Sequence, residues 1–200
     1  EPYTLYRRFM CRKGAAVDVN VNKSSGERQG WRESLSEFIR ATFFIPDARI
    51  GWLRPATRAA LKLIARHEHP AHRDARTTGP FHALYSSSPP YTCSLIARNV
   101  KRRTALPWVA GFRDPWTGFL TTPDRWSIPA RMDRRMERSV FAEADAVECA
   151  WQGIIDDAME KMPDLNREKF YHVPNGFDPR DFPEATYERN DRFTVTYTGS

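Results

Sequence analysis

The chain has 200 residues, enough for one ordinary domain with a real core, or for one domain with pieces of its neighbours. Its 31 Lys and Arg against 25 Asp and Glu leave a formal net charge of +6, which suits phosphate groups, nucleotides, acidic lipid or nucleic acid without choosing among them. No apolar run approaches the about 18 to 20 residues of a membrane-spanning helix, "EPYTLYRRFM" lacks the apolar centre of a signal peptide, and Cys11, Cys93 and Cys149 are scattered without a CxxC pair, so a reducing, cytoplasmic setting is expected.

In chain order, "VDVNVN" (17–22) alternates apolar and polar residues between Gly14 and "KSSG", the pattern of a short strand. The polar stretch "SSGERQGWRESLSE" predicts a long loop. "PATRAALKLIARHE" (55–68) predicts a helix, with Pro55 in its first turn and Ala59, Ala60, Leu63 and Ile64 on one stripe. After the break "HPAHRDARTTGP", "FHALYSS" reads as a strand stopped by Pro89-Pro90. "YTCSLIARNVKRR" (91–103) reads as a helix with Leu95, Ile96 and Val100 inward. "LPWVAGFR" is a third strand. Pro129 then opens the helix "ARMDRRMERSVFAEA", in which Met132, Met136, Val140 and Ala144 predict a buried stripe. "DAVECA", "WQGIIDDAMEKM" and "FYHVPN" predict strand, helix and strand. A connector rich in Pro and Asp leads to a last strand, "RFTVTYTG".

Strands alternating with helices predict an α/β fold: a Rossmann-like parallel sheet flanked by helices. Right-handed crossovers place every strand's carboxyl end along one edge, where open α/β sheets bind ligands. Both "SSSPPYT" and "FRDPW" lie just past strand ends, so both are expected to open onto one crevice.

These two loops carry the candidate chemistry. In "SSSPPYT", hydroxyls stand before a helix amino end, which suits a phosphate or a sugar hydroxyl; Ser88 or Thr92 could equally be an N-cap and the prolines a rigid turn. In "FRDPW", Asp114 could orient an acceptor hydroxyl or take its proton. Arg113 could hold a phosphate or keep Asp114 ionised, and Trp116 offers a face for a sugar. The alternative is a strand-end ion pair with Trp116 packed beneath the next helix. Neither GxGxxG nor GxxxxGK[ST] occurs, which speaks against a dinucleotide-binding turn or a P-loop.

The histidines of "HEHPAH" (His67, His69, His72) lack the spacing of a helical metal pair and read as a solvated connector, while His82 and His172 fall in strands as candidate core residues. Two basic sets, Arg98-Lys101-Arg102-Arg103 and Arg131-Arg134-Arg135-Arg138, read as solvated faces or as a patch for an anionic membrane. Aromatics are not interleaved with them, so no nucleic-acid partner is expected.

The ordered phrases "YSSSPPYT", "LPWVAGFRDPW", "RRMERSVFAEADAVECAW", "KFYHVPNGFDPRDF" and "FTVTYTGS" resemble the retaining glycosyltransferases of the GT-B fold, family four. The resemblance covers most of residues 82 to 200. It implies that residues 1–174 are a partial amino-terminal Rossmann-like domain, 175–191 an interdomain connector, and 192–200 the start of a donor-binding domain, the chain being a fragment. It further implies transfer of a sugar from a nucleotide diphospho-sugar to a glycan or lipid-linked acceptor hydroxyl, with retained configuration, no metal, no cofactor and a cytoplasmic location at or near the inner membrane face. On this footing Arg113 and Asp114 are the catalytic pair, although many members carry His-Asp there. Ser88, Pro89, Tyr91, Trp116, Asn175 and Gly199 would contact substrate, with Gly199 near the donor phosphates and Asn175, Gly176 and Asp178 in the interdomain turn. A non-catalytic α/β module that binds phosphorylated or glycan ligands at the same edge is the alternative.

Overall fold

In the computed structural model, residues 31–68, 81–118, 122–181 and 191–195 are described. Four parallel strands make one sheet: β1 (Leu84–Ser88), β2 (Trp108–Phe112), β3 (Ala146–Cys149) and β4 (Phe170–His172), in the order β1-β2-β3-β4. The helices are α1 (Trp31–Phe43), α2 (Leu53–Glu68), α3 (Thr92–Thr104), α4 (Ser127–Glu143) and α5 (Gln152–Lys161). The expected α/β architecture is present. In register, Ser88 lies opposite Phe112, Phe112 opposite Cys149, and Cys149 opposite His172, so all four strands end on one line.

Each strand pairs with its successor, and α3, α4 and α5 connect them. Right-handed crossovers in this order carry every connecting helix to the same face of the sheet. The burial agrees. Ser86, Ser88, Trp108, Ala110, Phe112, Val147, Cys149 and Phe170 face the helices and are buried. Phe112, Phe141 and Phe170 follow one another across this layer at centroid distances of 4.8 and 5.5 Å, in tilted contacts that add about 0.5–1.5 kcal/mol per pair to the burial of their area. On the opposite face Tyr85, Ser87, Glu148 and Tyr171 stay open or half-open among the described residues, Tyr85 at 61 % exposure. Tyr85 lies across Gly111, where an added Cβ would come within 2.6 Å of its hydroxyl.

Several expectations are corrected. From Trp31 on, the stretch read as a loop belongs to α1: Trp31, Leu35 and Phe38 keep a helical spacing, but the polar residues between them set the reading. The stripe foreseen on α4 is rotated: Val140 and Ala144 are buried, but Met132 is exposed, and Asp133, Glu137 and Phe141 take the inward positions. A strict i+4 spacing drifts by about 40° per step from an ideal helix, so Met132 has turned outward. On α2, Ile64 is buried while Leu63 and Ala59 are exposed. Residues 193–195 form no strand, and Phe193 and Val195 are exposed. The expected strand at 17–22, His69, His72 and Gly199 lie outside the described residues.

Candidate functional site

The carboxyl edge of the sheet is built from the loops after β1, β2 and β4. Past β1 the chain runs through two cis prolyl bonds, Ser88-Pro89 and Pro89-Pro90, before α3 begins. The loop after β2 lies directly beside it, since the Arg113 N–H donates to the Ser88 carbonyl at 2.9 Å and so extends the ladder by one residue. The two loops expected to share a crevice are therefore neighbours.

The amino end of α3 is not open to a ligand. The Asp47 carboxylate reaches it from far upstream, accepting from the Thr92 N–H at 2.8 Å and from the Thr92 hydroxyl at 2.8 Å. A carboxylate at this position satisfies orphan N–H groups and complements the helix dipole. Neither Ser88 nor Thr92 is the cap; Ser88 is buried, with its hydroxyl 2.6 Å from that of Ser94. Ser86 likewise turns inward and accepts from the indole N–H of Trp108 at 2.9 Å. Pro89 is half-buried, and its carbonyl accepts from the guanidinium of Arg113.

Arg113 and Asp114 do not pair with each other among the described residues. Arg113 is exposed and clamps the β1 loop, its Nε also lying 3.5 Å from the Ser88 carbonyl. Asp114 is half-buried and makes no hydrogen bond or ion pair among the described residues. Its neighbours are fixed on both sides. The Tyr91 hydroxyl donates to the Pro115 carbonyl, and the Tyr91 ring stacks on Trp116 with centroids 4.7 Å apart. Burial pushes the Tyr91 phenol far above its ordinary value, with the Asp114 carboxylate adding to the shift, so it remains a donor. Trp116 is 1 % exposed; it is a core residue and offers no face to a sugar.

The residues that hold this loop are ones the sequence did not single out. Asp133 and Glu137, one turn apart on α4, are 2 % and 1 % exposed. Asp133 accepts from the Trp116 indole at 2.8 Å and from Nε of Arg125 at 2.9 Å. Glu137 accepts from the Thr117 N–H at 3.1 Å and its hydroxyl at 2.6 Å. Lys161 on α5 stands 3.9 Å from Glu137, donates to the Thr117 carbonyl and pairs with Asp157. Gly118 follows with φ of 79°, a left-handed turn that suits glycine. Both buried carboxyls titrate above their ordinary values: burial dominates, offset for Asp133 by Arg125 and for Glu137 by the Thr117 hydroxyl and Lys161. In the sequence, "RMDRRMER" reads as a basic solvated face, and the i, i+4 spacing of Asp133 and Glu137 was the available signal.

Asn175 and Gly176 are exposed on the way out of β4; Gly176 does not take a left-handed conformation, so the pair forms no Asn-Gly turn. Asp178 accepts from the Arg180 N–H at 2.9 Å and starts a short 3-10 helix at Pro179–Asp181. His82 and His172 are exposed, not core, and His67 meets Phe81 edge-on at 4.9 Å. Among the described residues no three His, Cys, Asp or Glu gather as a metal site would require. Of the basic residues on α3, Lys101 pairs with Asp145, Arg102 grips Glu143 at 2.7 and 2.5 Å, and Arg98 donates to Ser139. On α4, Arg138 pairs with Asp164.

No protein-family model matches the chain, and no curated protein matches it.

Proposed function

We propose that the chain supplies the acceptor side of a glycosyltransferase, moving a sugar from a nucleotide diphospho-sugar to an acceptor hydroxyl. The observation that carries this reading is Asp114: a half-buried carboxylate with no partner of its own among the described residues, on a loop anchored on both sides at the carboxyl edge of a parallel sheet. Such an edge is where open α/β sheets present ligands. A carboxylate held ready in this way fits an incoming hydroxyl better than one already tied into an ion pair.

In the reaction, the bond between the anomeric carbon and the donor phosphate breaks, and the nucleoside diphosphate leaves with the electron pair. The acceptor oxygen forms the new bond and gives up its proton. Asp114 orients that hydroxyl and favours loss of its proton. Arg113 acts by tying the loop to the Pro89 carbonyl, and Tyr91 by fixing Pro115. Ser88 and Trp116, buried in the core, are withdrawn from substrate contact. Stabilisation of the leaving diphosphate falls to groups other than this loop.

The test is release of UDP or GDP by the full-length protein from a panel of nucleotide sugars, with and without glycan acceptors. Asp114→Asn is expected to lower release from the preferred donor by about a hundredfold or more, with an unchanged melting temperature, because Asp114 carries no structural bond. Equal release by the variant would remove Asp114 from the mechanism. Binding of a glycan or nucleotide without turnover would favour the binding-module alternative.

A further inference from the structure

Past β3 the chain leaves the sheet beside the β2 loop that carries Asp114. The Ala150 N–H donates to the Phe112 carbonyl at 2.9 Å, which extends the pairing of Phe112 with Cys149 by one residue. Neighbouring strands lie about 5 Å apart, so Arg113-Asp114 and Ala150-Trp151 start side by side at the carboxyl edge. Trp151 then opens α5 with an extended backbone, its carbonyl accepting from the Ile154 N–H at 3.2 Å. The Trp151 ring lies over Gly153: a Cβ added there would stand 1.7 Å from one ring carbon and 2.4 and 2.5 Å from two others. Any side chain at 153 would displace the ring, so this glycine makes its seat. Resting on the first turn of α5, the ring is still 46 % exposed. Other tryptophans differ. Trp108 and Trp116 are core, Trp52 has the Arg49 guanidinium 5.9 Å from its ring, and Trp126 is tied to Thr42 through its indole. Of these five, only Trp151 stands open immediately past a strand end.

We propose that Trp151 stacks on a pyranose ring of the acceptor and so selects which acceptor the site takes, an assignment that rests on the sugar-transfer reading. An aromatic face is negative and receives the weakly positive C–H groups that line one side of a pyranose. Asp114, an acceptor without a partner among the described residues, suits the hydroxyl donors at the edge of the same sugar. A nucleotide stacked on this ring would instead bring its phosphates toward the Asp114 carboxylate, a like charge. Because Gly153 already seats the ring, little side-chain freedom is lost when a sugar arrives. The sequence reading assigned this role to Trp116, which the fold buries; Trp151 provides the open ring at the same edge.

The experiment measures acceptor use by the full-length protein at saturating donor, together with quenching of its tryptophan fluorescence by methyl β-galactoside and methyl β-glucoside. Trp151→Ala is expected to raise the acceptor KM about tenfold, while kcat, the donor KM and donor-only release of nucleoside diphosphate stay as in the parent. Gly153→Ala, whose methyl group takes the seat of the ring, should weaken the acceptor to a like extent. Trp151→Phe should keep most of the affinity and lose the quench. Trp52→Phe should be quenched as the parent is, and melting temperatures confirm that each variant folds. An acceptor KM unchanged in Trp151→Ala or Gly153→Ala, a quench that survives in Trp151→Phe, or an equal quench by uridine would overturn the proposal. If no donor supports transfer, the quench decides alone. Its presence in the parent and loss in Trp151→Phe would keep the sugar site and remove the sugar-transfer reading; its absence from the parent would remove the sugar site.

Discussion

Arg125 shows how one buried side chain can join distant parts of the chain. Its guanidinium gives Nε to Asp133, Nη1 to the Ala41 carbonyl at 2.6 Å, and Nη2 to the carbonyls of Phe44 at 3.2 Å and Pro46 at 2.8 Å. These carbonyls lie at and beyond the end of α1, where intrahelical partners run out. Arg125→Met would leave Asp133 charged and buried and three carbonyls short of a donor, at a cost of about 3–5 kcal/mol. The urea midpoint measures it, and a loss under about 1 kcal/mol would contradict the network. Glu137 gives a second residue-scale prediction. Burial raises its folded pKa above the ordinary 4.5, so the folded state holds the proton more tightly than the unfolded chain does. Stability therefore falls as pH rises from about 4.5 through the folded value, the reverse of an ordinary paired carboxylate. In Glu137→Gln this part of the slope should vanish, and a midpoint profile against pH that keeps its slope in the variant would assign the effect elsewhere. None of these residues was legible as functional in the sequence. Arg125 and Asp133 are eight apart on different elements, and only the fold makes them partners.

At the scale of elements, α3 shows what local sequence can and cannot reveal. Its inward residues were readable from periodicity, and Leu95 and Val100 are buried as expected. Its cap was not, because the capping carboxylate lies 45 residues upstream, in the segment between α1 and α2. Asp47 also accepts from the Arg49 N–H at 2.8 Å, so it shapes its own turn while closing the helix. Asp47→Ala should cost about 1–2 kcal/mol, read as a lower melting temperature, and Asp47→Asn should recover part of it because one acceptor oxygen remains. An alanine variant as stable as the parent would mean that water caps the helix equally well. For α4 the sequence misled in a specific way. Four arginines and two methionines dominate its appearance, yet the helix is oriented by two carboxylates that must face inward to meet Trp116 and Thr117. Polar contacts to a loop outweighed the burial of Met132.

For the whole molecule, the succession of strands and helices was legible, because alternation of β-branched or aromatic runs with helical stripes survives errors at individual ends. That order and the crossover rule together place the two candidate loops side by side. The contents of the site were less legible, since residue type alone does not say which way a side chain turns. Ser88 and Trp116 look like ligand groups and are core; Asp114 keeps its side chain out of every bond within the described residues. The strand order has a further consequence, for how the chain is made. Each strand pairs with the next one synthesised, so the sheet can grow in step with translation, each new helix sealing the strand before it and few contacts waiting for distant sequence. The exceptions meet at the end of α1, where Arg125 and Trp126 bond Ala41 and Thr42, each made 84 residues earlier. During synthesis, the last carbonyls of α1 must wait for Arg125 before they find their partner in the folded chain.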